Sequence, residues 1–344
     1  MTSHLVLTVD YELFGDGSGS LDACVLKPAD QMMRIAEGFD APVTFFVEAL
    51  ECMALAEQLG DRRAQKQMGR ALGRGHNVQL HLHPQWMNAV YDVSGHWLLD
   101  NRYWRIGDLS ENEVNEILQR GKNWLEAEVA RNVPDYRCLA FRAGGWCIQP
   151  SDAIIKGMQK YGLFVESTVA PKAYNPVKGE WCDFRDAPEL PYWFIDRNVC
   201  EPSSSGIIEV PIATGKIGRL RHLKALKASR SAGNGGMAPE CIGSYRGPDG
   251  KYQSVRGKAT KLLRLGQVML DFSTMPGDVL IDLTSQWINR HKGAAGPLPI
   301  VAIAHTKNFT PASADALNTY LNWAKRQGIE FSTYERWYEA LNGQ

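Results

Sequence analysis

The stretch Gly75-His76-Asn77-Val78-Gln79-Leu80-His81-Leu82-His83-Pro84 decides how this chain is organised. Apolar and polar residues alternate from Asn77 to His83, which predicts a strand. Because side chains in a strand alternate between its faces, His81 and His83 project in the same direction. Pro84 cannot continue a central ladder and places both histidines at the carboxyl end of the strand. In an α/β protein that end opens onto the active-site crevice, where two imidazoles can form half of a metal site; the alternative is two packed or surface histidines.

The composition of the 344-residue chain is that of a globular protein, with 44% hydrophobic and 22% charged residues. Its formal net charge of zero implies neither a nucleic-acid nor a membrane partner. The first residues lack the basic and apolar parts of a secretory signal, and no apolar run has transmembrane length. Seven cysteines without CxxC spacing favour reduced thiols. These features predict a cytoplasmic protein and leave homo-oligomerisation open.

Short apolar runs alternate with helical patterns along most of the chain. Strands are predicted at residues 5–10, 42–48, 77–83, 138–142, 163–167, 207–211 and 300–304. Helices are predicted at residues 28–39, 49–74 with a break near Gly60, 110–131, 151–161, 311–327 and 333–341. Repeated strand–helix alternation favours a parallel sheet enclosed by helices, most simply a barrel.

One segment departs from this alternation. Between Lys216 and Arg264, twelve Lys and Arg residues are opposed only by Glu240 and Asp249. Its centre, residues 229–250, is rich in Gly and Ser, which is typical of a loop. We therefore predict a single domain over residues 1–344 with a basic insertion at about 216–264. The insertion is either a solvated loop or a surface for an anionic ligand such as a nucleotide or a lipid phosphate.

A pair of carboxylates ends the first predicted strand. Asp10 and Glu12 have the same i, i+2 spacing as His81 and His83. If both strands belong to one sheet, two carboxylates and two imidazoles meet at one edge. One carboxylate with two imidazoles is a common metal-binding set, and the second carboxylate could then act as a general base on water. Taken alone, Asp10 and Glu12 would be a loop cap and a surface acid.

Two later strands also end in polar or flexible residues. Arg142 ends one strand and is followed by Gly144 and Gly145, which let the backbone approach a ligand, and by Trp146. His305 ends the last strand. Such a histidine is often structural, but its position at the same end as the other groups favours a role in the site. Several aromatic residues in loops could stack on a sugar ring or simply pack: Trp86, Trp104, Trp146, Trp181, Tyr192 and Trp193.

The order of these motifs resembles that of the NodB-homology polysaccharide deacetylases, carbohydrate esterase family four. The resemblance rests on Asp10-x-Glu12, on the Gly-His-x-x-x-x-His-x-His pattern of residues 75–83, on Phe141-Arg142-Ala143-Gly144-Gly145 and on His305. It covers most of the chain outside residues 216–264. The resemblance implies a distorted (β/α)7-type barrel that holds a divalent metal through one carboxylate and two histidines.

Carried over by position, the resemblance makes Glu12, His81 and His83 the metal ligands. The family's adjacent Asp-Asp pair is absent, so Asp10 is an alternative carboxylate ligand. The family's second histidine usually comes four residues after the first, where this chain has Gln85, so His83 takes its place. Zn²⁺ is the expected metal, and Fe²⁺, Co²⁺ or Mn²⁺ would suit the same ligands.

The resemblance also assigns the catalytic groups. Asp10 would be the general base, Arg142 would orient it, and His305 would be the general acid that protonates the departing nitrogen. The carboxylate that tunes His305 would come from one of three acids: Glu166, Asp183 or Asp186. The residues expected to contact substrate are Trp86, Gly144, Gly145 and Trp146.

These inferences predict a metal-dependent N-deacetylase that acts on an acetamido sugar. Cytoplasmic location and the basic segment favour a nucleotide- or lipid-linked sugar for surface polysaccharide or O-antigen assembly, carrying phosphate or carboxylate. A second reading is hydrolysis of a cyclic imide or ureide, which calls for a small closed pocket. A third is a non-catalytic carbohydrate-binding protein on a deacetylase-like barrel, and a fourth is a glycosidase using Asp10 and Glu12 as its acid and base.

Overall fold

Apolar strands alternate with amphipathic helices in a computed structural model that describes residues 2–177, 180–218 and 267–343. The described strands are, in chain order, β1 (Ser3–Tyr11), β2 (Val43–Glu48), β3 (Asn77–Leu82), β4 (Val90–Tyr91), β5 (Trp97–Leu98), β6 (Ala140–Ala143), β7 (Val165–Glu166), β8 (Tyr174–Asn175), β9 (Cys182–Asp183), β10 (Trp193–Ile195), β11 (Ile207–Glu209), β12 (Thr214–Lys216), β13 (Gln267–Met269), β14 (Leu298–His305) and β15 (Glu330–Phe331). The described α-helices are α1 (Lys27–Glu37), α2 (Ala49–Leu59), α3 (Arg63–Gly73), α4 (Glu111–Trp124), α5 (Asp152–Tyr161), α6 (Gly277–Arg290), α7 (Pro311–Arg326) and α8 (Tyr334–Asn342).

The main sheet is curled and runs in the order β10-β11-β7-β6-β3-β2-β1-β14. Within the described ranges, the seven strands from β11 to β14 pair in parallel, and only β10 joins the path in an antiparallel direction. The interior residues of β2 and β3 are buried on both faces, as expected for parallel strands covered by helices. The predicted distorted (β/α)7-type barrel is therefore confirmed.

The register of the sheet places polar strand ends in one layer. Asp10 lies opposite His305 between β1 and β14, and His81 lies opposite Arg142 between β3 and β6. His81 is also paired with Glu48 at the end of β2. Because the strands are parallel, all these residues stand at the carboxyl edge of the barrel, where the loops build the site.

Local signals set the ends of several helices. Gly60 adopts a left-handed conformation (φ 65°) and ends α2, which produces the predicted break before α3. Ser110 caps α4 and Glu113 reaches back to its backbone, as the sequence indicates. The sequence analysis missed α6, whose apolar positions follow Pro276 without a side-chain cap.

The barrel closes at a seam between β14 and the segment after β11. Ile212 bridges Val301, and the Ala213 N–H donates to the Val301 carbonyl at 3.0 Å. Directly after this point β12 pairs antiparallel with β13, with Lys216 opposite Gln267. The predicted basic insertion at 216–264 falls between these two strands and lies, from residue 219 onward, outside the described residues.

Two predictions concern the chain as a whole. In the parts of the chain that the structure describes, no helix has both the length and the apolar character needed to cross a bilayer. Among the described residues, five buried cysteines are in the thiol form: Cys52, Cys138, Cys147, Cys182 and Cys200. Cys24 is disulfide-bonded, so the prediction of reduced thiols throughout is wrong there, because cysteine spacing does not reveal which sulfurs meet in space.

Candidate functional site

Three predicted donor side chains meet at the carboxyl ends of β1 and β3. Glu12 Oε2 lies 2.7 Å from His83 Nε2 and 3.5 Å from His81 Nε2. One donor atom from each residue lies within 4.8 Å of the other two, and all three residues are buried. The structure thus brings together the carboxylate and the two imidazoles expected to hold a metal.

The unpaired nitrogens of this cluster match a metal site. His81 Nδ1 lies 2.8 Å from the Arg142 carbonyl, which orients the ring with Nε2 toward Glu12. Both Nε2 atoms face Glu12 Oε2, and neither forms a regular hydrogen bond within the described ranges. Buried unpaired nitrogens are costly, and a borderline divalent cation is the ligand that two imidazoles and a carboxylate prefer. The residues therefore fit the expected metal.

Two neighbours set the position of the His83 ring. A Cβ added to Gly144 would lie 2.5 Å from His83 Cγ, so only glycine allows the imidazole to rest against the β6 loop. Gln85 Nε2 lies 3.2 Å from His83 Nδ1 and donates to the Gly15 carbonyl at 3.2 Å. Gln85 therefore does not belong to the donor cluster and instead contacts the ring of His83, which does.

Asp10 is held in a buried network beside the donor cluster. The Arg142 guanidinium is fully buried and donates to Asp10 Oδ1 at 2.7 Å, to the Ser167 carbonyl at 2.8 Å and to Thr8 Oγ1 at 3.0 Å. Burial opposes the charged form of Asp10, but Arg142, His81 and His305 outweigh it and lower the pKa of this carboxyl. Asp10 is consequently an ionised carboxylate.

His305 lies on the other side of Asp10. Its Nε2 is 3.4 Å from Asp10 Oδ2, and its ring packs edge to face with Trp146 at 5.9 Å between centroids. His305 Nδ1 has no hydrogen-bond partner among the described residues. Of the three acids proposed to tune it, Glu166 bonds to Thr168, Asp183 pairs with Arg185, and Asp186 is exposed.

Lys307 is a member of the site that the sequence analysis missed. Its Nζ donates to Glu12 Oε1 at 2.8 Å and to the Leu13 carbonyl at 2.9 Å, and it lies 5.5 Å from the Phe14 ring centroid. Burial opposes the charged form of Glu12, but Lys307 and His83 hold the pKa of this carboxyl well below its usual range. Because Lys307 takes Oε1, Oε2 is the oxygen that faces the imidazoles.

A cavity of about 280 Å³ opens above these groups. Its lining includes the predicted Gly145 and Trp146, and also Phe14, Trp104, Asn175 and Glu180. Trp86 does not reach it, since its side chain is buried against Trp97 at 5.1 Å between centroids. Gly144 contacts His83 instead of the cavity. Of the four residues expected to contact substrate, two therefore line the cavity.

A second pair of buried acids lies at the ends of β7 and β11. Glu166 and Glu209 are opposite each other in the register and are fully buried. Glu166 accepts from the Thr168 N–H at 2.9 Å, whereas both carboxylate oxygens of Glu209 lack a donor among the described residues. Burial, followed by the neighbouring Glu166 carboxylate, raises the pKa of Glu209 well above its usual range. Burial also raises the pKa of Glu166.

The fold is similar to that of several solved structures, although the sequence itself has no match. No family model matches the sequence, and no curated protein sequence matches it either. A structure from Mycobacterium smegmatis assigned as a polysaccharide deacetylase is 14% identical, with a TM-score of 0.53 over 100% of this chain and 91% of that one. A GH57-type branching enzyme from Pyrococcus horikoshii is 10% identical, with a TM-score of 0.55 over 100% of this chain and 72% of that one.

A third similar structure is Puue allantoinase, which is 12% identical with a TM-score of 0.50 over 99% of this chain and 91% of the other. The resemblance to polysaccharide deacetylases is thereby confirmed at the level of the fold. The three similar structures carry different activities in their names, so the side chains at the strand ends must decide the chemistry.

Proposed function

We propose that this protein is a metal-dependent hydrolase of a carbon–nitrogen bond, an N-deacetylase of an acetamido sugar. The observation that carries the proposal is the pair of buried, unpartnered Nε2 atoms of His81 and His83 beside Glu12 Oε2 in the described part of the chain. Two imidazole nitrogens that face one carboxylate oxygen are the expected donors to a divalent cation. The polysaccharide deacetylase fold is consistent with this chemistry.

Glu12, His81 and His83 would hold the metal, with Zn²⁺ expected and Fe²⁺, Co²⁺ or Mn²⁺ as alternatives. When bound, such a metal acts as a Lewis acid and lowers the pKa of water. Asp10, Glu12 and His305 also have donor atoms within 4.8 Å of one another and form a second possible ligand set. This set suits a metal less well, because Arg142 already pairs with Asp10.

Asp10 is the group placed to accept a proton from the attacking water. Arg142 holds Asp10 Oδ1, which leaves Oδ2 directed toward the cavity and His305. The water oxygen forms a bond to the acetyl carbon, and its proton passes to Asp10. Arg142 keeps this carboxylate oriented without occupying its second oxygen.

His305 is the group placed to protonate the departing nitrogen. An amine is a poor leaving group unless it gains a proton as the carbon–nitrogen bond breaks. His305 stands at the cavity with Nε2 near Asp10, so the base and the acid lie side by side. Acetate and a free amino sugar are the products.

The cavity lining supports a sugar substrate. Trp104 and Trp146 offer aromatic faces, and Asn175 and Glu180 offer groups that can accept or donate hydrogen bonds to hydroxyls. The predicted phosphate- or carboxylate-bearing substrate of surface polysaccharide assembly remains a proposal. Its main support is the basic segment at 216–264, most of which lies outside the described residues.

The proposal is tested by metal analysis together with acetate release. Protein purified without chelators is expected to contain one divalent ion per chain. It should release acetate from one of three probes: free N-acetylglucosamine, its nucleoside-diphosphate form, or a short N-acetylglucosamine oligomer. His81→Ala should lose both the metal and the activity. His96→Ala, which alters an exposed histidine, should keep both.

Wild-type protein that binds no divalent ion, even after supplementation, would remove the basis of this proposal. Preference for the nucleotide form over the oligomer would support the phosphate-bearing substrate. Acetate release that survives chelation and metal-free conditions would point instead to Asp10 and Glu12 acting without a metal.

A second candidate is ring opening of a cyclic imide or ureide. The cavity of about 280 Å³ is at the small end for a ligand site, which favours a small substrate. The fold is also similar to that of Puue allantoinase. Incubation with hydantoin and allantoin separates the candidates, because ring opening yields a new carboxylate and no acetate. Turnover of these rings without acetate release from any sugar probe would establish the second candidate over the first.

A further inference from the structure

The start of α2 lies between the two segments that carry the donor side chains. Glu48 ends β2 and caps α2, with its Oε1 accepting from the Leu50 N–H at 3.0 Å. It stands opposite His81 in the register of the sheet. Glu51 follows in the first turn of the helix, and both acids are buried. Neither acid belongs to the donor cluster.

Glu48 also contacts the backbone of a donor residue. Its second oxygen, Oε2, accepts a short hydrogen bond from the His83 N–H. Strand β3 ends at Leu82, so the His83 N–H has left the ladder and needs another partner. One carboxyl group thus joins the first turn of α2 to the backbone of His83.

Glu51 makes the corresponding contact on the β1 side. Its two oxygens accept from the Leu13 N–H at 3.2 and 3.0 Å. Leu13 directly follows Glu12 and lies beyond the end of β1 at Tyr11. Both donor segments are therefore tied to the same helix start at the first residues outside their strands.

We propose that Glu48 and Glu51 are positioning residues that set the spacing between Glu12 and His83, and hence the geometry of the metal donors. The inference rests on the proposed function, since it concerns the same three donors. Partners of metal ligands commonly change metal affinity by 10- to 100-fold when they are removed. Here the partners act through the backbone of the donor segments, and one rigid helix start serves both.

The test uses substitutions that separate positioning from helix capping. Glu48→Asp keeps a strong capping residue but shortens the side chain, so that it no longer reaches the His83 N–H. Glu51→Met removes both acceptor oxygens, and Glu51→Gln retains one. Glu57→Gln, at an exposed position of the same helix, is the matched control. The readouts are the zinc Kd by chelator competition, the Tm without metal, and hydrogen exchange of the peptides containing Leu13 and His83.

Glu48→Asp and Glu51→Met are expected to weaken zinc binding by about 10- to 100-fold. In both variants, hydrogen exchange should be faster in the peptide whose N–H has lost its acceptor. Glu51→Gln and Glu57→Gln should bind zinc as the wild type does. A purely structural role would lower the Tm and leave the Kd unchanged. If Glu48→Asp does not fold, the Glu51→Met and Glu51→Gln pair decides.

The inference is overturned if the wild type binds zinc and Glu48→Asp and Glu51→Met bind it equally well. It is also overturned if Glu51→Gln loses as much affinity as Glu51→Met, because the negative charge would then matter and not the acceptor. Wild-type protein that binds none of Zn²⁺, Fe²⁺, Co²⁺ and Mn²⁺ overturns the proposed function, and this inference with it. If the wild type binds zinc and the variants have the same Kd, the proposed function is kept and only this inference is rejected.

Discussion

Two pairs of buried acids sit at the carboxyl edge of the same sheet, and their surroundings shift the pKa of the two pairs in opposite directions. Asp10 and Glu12 have lowered pKa values, whereas Glu166 and Glu209 have raised ones. Burial acts on all four in the same direction, toward the neutral acid. The difference comes from their partners, because Arg142 and Lys307 face the first pair.

The comparison shows how the partners of two buried pairs of carboxylates differ within one barrel. At β1, each acid has its own cation and at least one oxygen directed toward an imidazole. At β7 and β11, Thr168 donates to Glu166, and Glu209 has the neighbouring Glu166 carboxylate beside it, which favours the protonated form of Glu209. The cations Arg142 and Lys307 therefore favour the charged form of the first pair, and the second pair has no such cation at hydrogen-bond distance among the described residues.

Replacing Arg142 should cause the largest loss of stability and remove the difference between Asp10 and Glu209. Arg142→Met leaves Asp10 buried without its main cation, and removing one partner of a buried pair typically costs about 3–5 kcal/mol. Asp10 should then resemble Glu209, with a pKa raised by burial. The measurement is the free energy of unfolding in urea for Arg142→Met, Asp10→Asn and the double variant.

In the double variant the carboxylate is gone as well, so its loss of stability should be smaller than the sum of the two single losses. Additive losses would mean that Arg142 acts through Ser167 and Thr8 and not through Asp10.

Replacing Lys307 should cause an intermediate loss of stability and test whether Glu12 contacts the metal. Lys307→Met leaves Glu12 without its cation and should lower the stability of the metal-free protein by about 1–3 kcal/mol. Added zinc would supply the missing positive charge, so the rise in Tm on zinc addition should exceed that of the wild type. Lys325→Met, which removes an exposed pair with Asp40, is the control and should change neither value appreciably.

An unchanged zinc-dependent rise in Tm for Lys307→Met would show that the metal, if bound, does not contact Glu12. Asp10 would then be the carboxylate ligand to test next.

Replacing Glu209 should have the smallest effect, and it depends on pH. Because the folded-state pKa of Glu209 is raised, the folded protein holds a proton that the unfolded chain releases above about pH 4.3. Stability should therefore fall as the pH rises from about 4.3, with a slope of at most about 1.4 kcal/mol per pH unit for one proton. Glutamine is neutral and similar in shape to a protonated glutamate. Glu209→Gln should therefore remove the part of the pH-dependent loss of stability that Glu209 causes.

The measurement is urea unfolding of the wild type and Glu209→Gln at pH 5 and pH 8. The free energy of unfolding of Glu209→Gln should exceed that of the wild type at pH 8 and differ little from it at pH 5. A variant that loses stability equally at both pH values would show that Glu209 is ionised in the folded protein.

The spacing of polar residues at strand ends predicted much of the site. Asp10 with Glu12 and His81 with His83 share the i, i+2 pattern, and parallel strands bring such pairs to one edge. His305 with Lys307 has the same spacing, and Lys307 lies beyond the end of β14 just as Glu12 and His83 lie beyond the ends of β1 and β3. The missed cation was thus the third instance of a pattern already recognised twice.

Other features could not be predicted because they depend on packing between distant segments. Trp86 and Trp104 look alike as loop tryptophans, but only Trp104 reaches the cavity, since Trp86 packs on Trp97 of a hairpin. Gly144 was expected to admit a substrate, and it admits the His83 ring instead. The contacts of Glu48 and Glu51 cross between three strands and carry no local signal.

The hairpin of β12 and β13 has a consequence for engineering the protein. Because Lys216 and Gln267 are paired, the two ends of the intervening chain leave the barrel side by side at its seam. A two-residue turn between Lys216 and Gln267 would keep the pairing of β12 with β13. A variant with residues 217–266 replaced by such a turn would therefore measure, by zinc binding and by acetate release from each sugar probe, what this stretch contributes to substrate choice.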